Sequence, residues 1–103
     1  MCASEIRPKP DEREIDNLSE LYKAFGSDTR LKILWLLMEQ ERCVGELAEY
    51  LDMTESAISH QLRVLRSARL VYWHKSGKNV IYQLHDKHVR LILETTYQHV
   101  AKV

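Results

Sequence analysis

A chain of 103 residues, 45% of them apolar, makes one small domain with a single core. Its formal charge is zero, but residues 1–52 carry 12 acids against 7 bases, whereas residues 53–103 carry 3 acids against 8 bases, so the second half faces anions. No apolar run approaches the ~18 residues that span a bilayer, the N-terminus lacks the apolar core of a signal peptide, and two cysteines cannot build a disulfide framework; a cytoplasmic, non-membrane protein is expected.

Residues 1–12, with two prolines and mixed charge, are expected to form a flexible arm ahead of a folded domain over 13–103. Ile15, Leu18, Leu21, Tyr22 and Phe25 recur at helical spacing, and Gly26-Ser27-Asp28 ends that helix and caps the next. Residues 29–40 are apolar on most sides (Leu31, Ile33, Leu34, Leu36, Leu37, Met38), which predicts a helix central to the core. A short helix over Val44 to Leu51 follows, then a turn at Asp52-Met53.

The stretch from Thr54 to Leu70 is the most telling. Thr54 is placed to cap a helix in which Ile58, Leu62 and Leu65 form the buried stripe, leaving Ser56, Ser59, His60 and Arg63 outward. Short polar side chains at a helix N-terminus suit phosphates and base edges, although an ordinary solvated helix face carries the same residue types. Two features favour DNA. The preceding short helix braces this one as in a helix-turn-helix. Between Glu55 and Asp86 there is also no acid, while Arg63, Arg66, Arg69, Lys75 and Lys78 fall there.

After Leu70 the period changes to two: Val71, Trp73, Val80, Tyr82 and Leu84 alternate with more polar neighbours around a Ser76-Gly77-Lys78-Asn79 turn. The hairpin tip is basic, with Lys75 and Lys78, as suits an arm on the DNA backbone. The fold class is mainly α with a small β-hairpin.

A final helix over Lys87 to Ala101 has Asp86 and His88 at its start and His99 eleven residues beyond His88. Eleven steps of about 100° place both histidines on one face, yet about 16 Å apart along the axis, against a Zn–N bond of about 2 Å. One helix therefore cannot close a site. Two antiparallel copies would bring Asp86 and His88 of one chain to His99 of the other, giving two equivalent sites per twofold dimer. Asp and His donors suit Zn²⁺ or a first-row neighbour. The alternative is that Asp86 is only a helix cap and the histidines are polar interface residues. Lys102, one turn past His99, is protonated at neutral pH and cannot be a ligand.

The segments FGSDTRLKILWLL (25–37), CVGELAEYL (43–51), TESAISHQLRVLRSARLV (54–71), KSGKNVIYQL (75–84) and DKHV (86–89) together resemble the ArsR/SmtB metal-sensing repressors, bacterial winged-helix homodimers. The resemblance covers roughly residues 18–100. It implies a winged helix-turn-helix that dimerises through its first and last helices, with Ser56, Ser59, His60 and Gln61 facing double-stranded operator DNA, and an inducer that weakens operator affinity. Its last-helix zinc pattern matches at Asp86, His88 and His99, with Lys102 in place of the usual fourth His or Glu. A second pattern of the family, built on cysteines, is matched only by Cys43, with Glu46 as an oxygen donor and Cys2 in the arm; Gly45 stands where a second cysteine is usual.

The expected function is thus a repressor that releases its operator on binding a transition metal, zinc first. The rival readings are a thiol sensor acting through Cys43 and a repressor without a small ligand. No His-Cys or Ser-His-Asp arrangement suggests an enzyme.

Overall fold

The computed structural model describes residues 8–101. In chain order the elements are α1 (Glu12–Phe25), α2 (Asp28–Glu39), β1 (Arg42–Cys43), α3 (Val44–Leu51), α4 (Glu55–Ser67), β2 (Val71–Ser76), β3 (Asn79–Leu84) and α5 (Lys87–Ala101).

Local chemistry sets most of these boundaries. Asp11 and Glu14 form a capping box at the start of α1: the Asp11 carboxylate accepts from the Glu14 amide at 2.8 Å, and the Glu14 carboxylate from the Asp11 amide at 2.9 Å. Ser27 Oγ accepts from the Arg30 amide at 3.3 Å and opens α2. Asp52, at φ +54°, carries the left-handed turn that ends α3, where the Met53 amide donates to Ala48 O at 3.0 Å. α4 ends at Ser67, three residues before Leu70. Arg69 takes φ +62°, and the Leu70 amide reaches back to Leu65 O at 2.9 Å. That closing turn drives Leu70 and Val71 into the core at 2% and 1% exposure.

Ile33 and Leu34 of α2, Leu47 of α3, and Ile58, Leu62 and Leu65 of α4 are fully buried and form the centre of the core. Leu84 of β3 and Val89 and Leu93 of α5 close it on the far side. β2 and β3 pair antiparallel with Val71 opposite Leu84 and Trp73 opposite Tyr82, so the alternating apolar positions share one face. Gly77, at φ +64°, supplies the first central position of a tight II′-type hairpin turn. The two-residue strand β1, unmarked by any pattern in the sequence, pairs with the outer edge of β3 and makes the sheet order β1-β3-β2.

Arg42 of β1 is buried although charged. Its guanidinium donates to Leu36 O at 3.0 Å and to the Glu39 carboxylate at 2.6 Å, and lies 4.6 Å from the Tyr50 ring centre. Those partners offset the desolvation of the cation.

α1 and α5 are only half covered. Ile15, Leu18 and Tyr22 on α1, and Leu91, Tyr97 and Val100 on α5, are exposed. Between the two helices runs a mostly apolar groove of about 370 Å³, with Tyr22, Phe25, Trp35 and Tyr97 among its walls.

Candidate nucleic-acid interface and metal centre

Thr54 Oγ1 accepts from the Ala57 amide at 3.1 Å and starts α4, and Glu55 in the first turn complements the positive end of the helix. Burial of Ile58, Leu62 and Leu65 fixes the rotation of α4. Ser56, Ser59, His60 and Arg63 consequently lie on the exposed face, as the periodicity requires. Gln61 does not share that exposure: it is half-buried, and its Oε1 accepts from Arg30 Nη1 at 3.1 Å.

Lys75 and Lys78 are exposed at the end of the wing. The wing is braced against the body at two places. Arg66 of α4 lies 5.3 Å from the Trp73 ring centre, and His74 is 3.7 Å from the Glu41 carboxylate, beside β1. Arg66 and His74 are therefore oriented toward neighbours in the fold, and of the basic stretch read from the sequence Arg63, Arg69, Lys75 and Lys78 are exposed while Arg66 braces the wing.

At the root of the wing, Asp86 caps α5. Its Oδ1 accepts from the amides of His88 at 2.9 Å and Val89 at 3.3 Å. Its Oδ2 lies 3.0 Å from His85 Nδ1, and His88 Nδ1 is 3.5 Å from Oδ1. The His85 hydrogen bond first, then the Val89 and His88 amides and the adjacent His88 ring, hold the Asp86 carboxyl below the usual aspartate value. An ionised, oriented carboxylate beside an exposed imidazole is a suitable pair of hard and borderline donors for a Zn²⁺-like ion. His85, which the sequence reading passed over, adjoins Asp86 in the chain; its part in orienting the carboxylate is visible only in three dimensions.

His99 is exposed near the other end of α5, so one chain does not bring it to Asp86 and His88. Among the described residues, no three His, Cys, Asp or Glu side chains of one chain are grouped to hold a metal ion. Lys102 lies outside the described residues.

Cys43 is a free, half-buried thiol at the N-cap of α3. Glu46 Oε1 accepts from the Cys43 amide at 3.0 Å, and bonds from the Cys43 backbone and side chain hold the Glu46 carboxyl below its ordinary value. The two are adjacent, but Glu46 is engaged in capping α3. Cys2, the third member of that alternative set, lies outside the described residues.

The sequence pattern described as "Bacterial regulatory protein, arsR family" matches residues 27–72, from the cap of α2 into β2. The chain is 38% identical over 89 residues to the transcriptional repressor SmtB homolog of Synechocystis sp., covering 86% of this chain and 67% of that protein. Among solved structures, Rv0081 of M. tuberculosis aligns with a TM-score of 0.83 at 30% identity, covering 89% of this chain and 93% of that one. The homodimeric winged helix-turn-helix DNA-binding domain Mb0332 of Mycobacterium bovis aligns with a TM-score of 0.80 at 28% identity, covering 93% and 90%.

Proposed function

The chain belongs to the ArsR/SmtB family of winged-helix, metal-sensing transcriptional repressors, and we propose that it is a homodimer that holds a palindromic operator and releases it on binding a divalent first-row transition metal, zinc first among them. One observation carries the reading: α4 buries its apolar stripe and turns Ser56, Ser59, His60 and Arg63 to solvent, on a molecule whose wing ends in exposed Lys75 and Lys78. In a twofold dimer, two such helices enter successive major grooves about 34 Å apart. Ser56 and Ser59 offer short hydroxyls near the positive end of α4, to phosphates or base edges. His60 and Arg63 offer longer donors, Arg63 being able to pair bidentately with a guanine. Lys75 and Lys78 meet backbone phosphates. Such a protein works in the cytoplasm, where its DNA lies.

Asp86 and His88 of one protomer and His99 of the other would hold the ion, which when bound supplies a cross-link between the two chains. Asp86 stands just beyond β3 and caps α5, so a constraint on its carboxylate acts where the wing joins the last helix. Displacement of the half-sites from their DNA spacing lowers operator affinity, and by linkage operator binding lowers metal affinity by the same factor, typically ~1–3 kcal/mol. Titration of zinc into free and operator-bound protein measures this coupling. Weaker zinc binding on DNA is expected; equal affinities refute the reading.

A second reading, with Cys43 and Glu46 as the sensing pair, draws support from their contact across the α3 cap. Alkylation of Cys43 separates the two, because a last-helix sensor continues to respond to zinc.

A further inference from the structure

Arg30 was singled out by neither motif nor spacing, yet its guanidinium joins three helices. It is carried on α2. Its Nε donates to Ala24 O at 2.8 Å and its Nη2 to Lys23 O at 3.1 Å, so it satisfies carbonyls in the last turn of α1 and complements the negative end of that helix. Its third donor, Nη1, reaches Gln61 Oε1 on α4 at 3.1 Å. Beside this bridge, an open cleft of about 530 Å³ lies between α1 and α4, with Lys23 and Ala24 on one wall and Arg63, Val64 and Ala68 on the other. With that cleft between them, α4 packs on α1 only sparsely, and both are held mainly through α2.

We infer that Arg30 is a positioning residue for DNA recognition: with Gln61 as its acceptor, it locks the reading helix α4 to α1 and so sets the distance between the two reading helices of the dimer. Gln61 on this account is a clamp acceptor and not a reader of base sequence. The planar fork of the guanidinium suits the task, because three donors in fixed directions restrain both the distance and the angle between the helices they join. A lysine at position 30 keeps the charge but loses the fork.

The inference rests on the proposed function, since α1 matters to operator spacing only if it belongs to the dimer. Its test starts from a palindromic duplex that the wild-type protein selects from a randomised pool. Failure to select any duplex overturns the function itself, and the inference with it. Given a duplex, the binding of full-length wild type, Q61A, R30K and the double variant is compared on three series: the parent, single base-pair substitutions within a half-site, and half-sites moved closer or apart by one base pair.

The clamp predicts that Q61A and R30K each bind the parent about tenfold more weakly, and that the double variant is no weaker than R30K alone. Base preference within the half-site stays at the wild-type pattern, whereas the penalty for moving the half-sites falls several-fold. Loss of preference at a single base pair in Q61A, multiplying effects in the double variant, or unchanged spacing discrimination each overturns the inference. Should R30K fail to fold, Q61A alone decides, because its base and spacing profiles distinguish a clamp from a reader.

Discussion

Asp86 holds two positions at once, as the cap of α5 and as the anionic donor of the proposed metal site, and substitution separates them. Asp86→Asn keeps an oxygen for the His88 and Val89 amides, so the melting temperature stays near wild type while zinc affinity falls. Asp86→Ala loses both, and Tm drops by roughly 4 °C or more. Thermal melts with and without zinc check the difference. His88→Ala and His99→Ala should leave the fold intact, since both rings are exposed, and should each abolish the two zinc ions per dimer counted by equilibrium dialysis. At this scale the sequence was a good guide wherever helical period decided the outcome: Ser56, Ser59, His60 and Arg63 lie outward because Ile58, Leu62 and Leu65 had to lie inward. It was silent where a long side chain reaches across the fold. Arg30 and Gln61 are 31 positions apart, and no local pattern relates them; a glutamine on α4 reads as surface until its partner is seen.

At the level of elements, the helices and the hairpin were legible from caps and periodicity, because the cap residues and the apolar period that mark each one are local in the sequence even though the burial that stabilises them is not. The two-residue β1 was not, since so short a strand exists only by pairing with β3. The end of α4 carried no sequence mark, because an arginine, not a glycine, takes the left-handed turn. Arg69→Gly relieves that conformation and is expected to raise stability by up to about 1 kcal/mol, measured by urea unfolding. The wing makes a separate prediction. Lys75→Ala and Lys78→Ala should weaken binding alike on all operator sequences and lower the slope of log affinity against log salt by roughly one each, if each lysine meets one phosphate. A sequence-selective loss would show instead that the wing tip reads bases.

Over the described residues the chain is more extended than their number warrants, with a radius of gyration of 16.3 Å against about 13 Å for a compact domain of 100 residues. The excess comes with the half-covered helices α1 and α5, whose exposed Ile15, Leu18, Tyr97 and Val100 suit burial against a second copy. Sedimentation should give twice the chain mass of 12.2 kDa, and Ile15→Glu or Val100→Glu should shift it to one chain and abolish operator binding together. With zinc shared across the dimer as proposed, the separation of His88 and His99 along α5 acquires a cellular meaning. A receptor whose halves reside on different molecules responds to its own abundance as well as to the ion: at protein concentrations well below the dimer dissociation constant, the amount of bound zinc rises with the square of protein concentration and the fraction of chains occupied rises in proportion to it, so the ion also promotes assembly. The threshold for derepression would therefore move with the copy number of the repressor, giving the cell a means of tuning sensitivity without altering a single ligand.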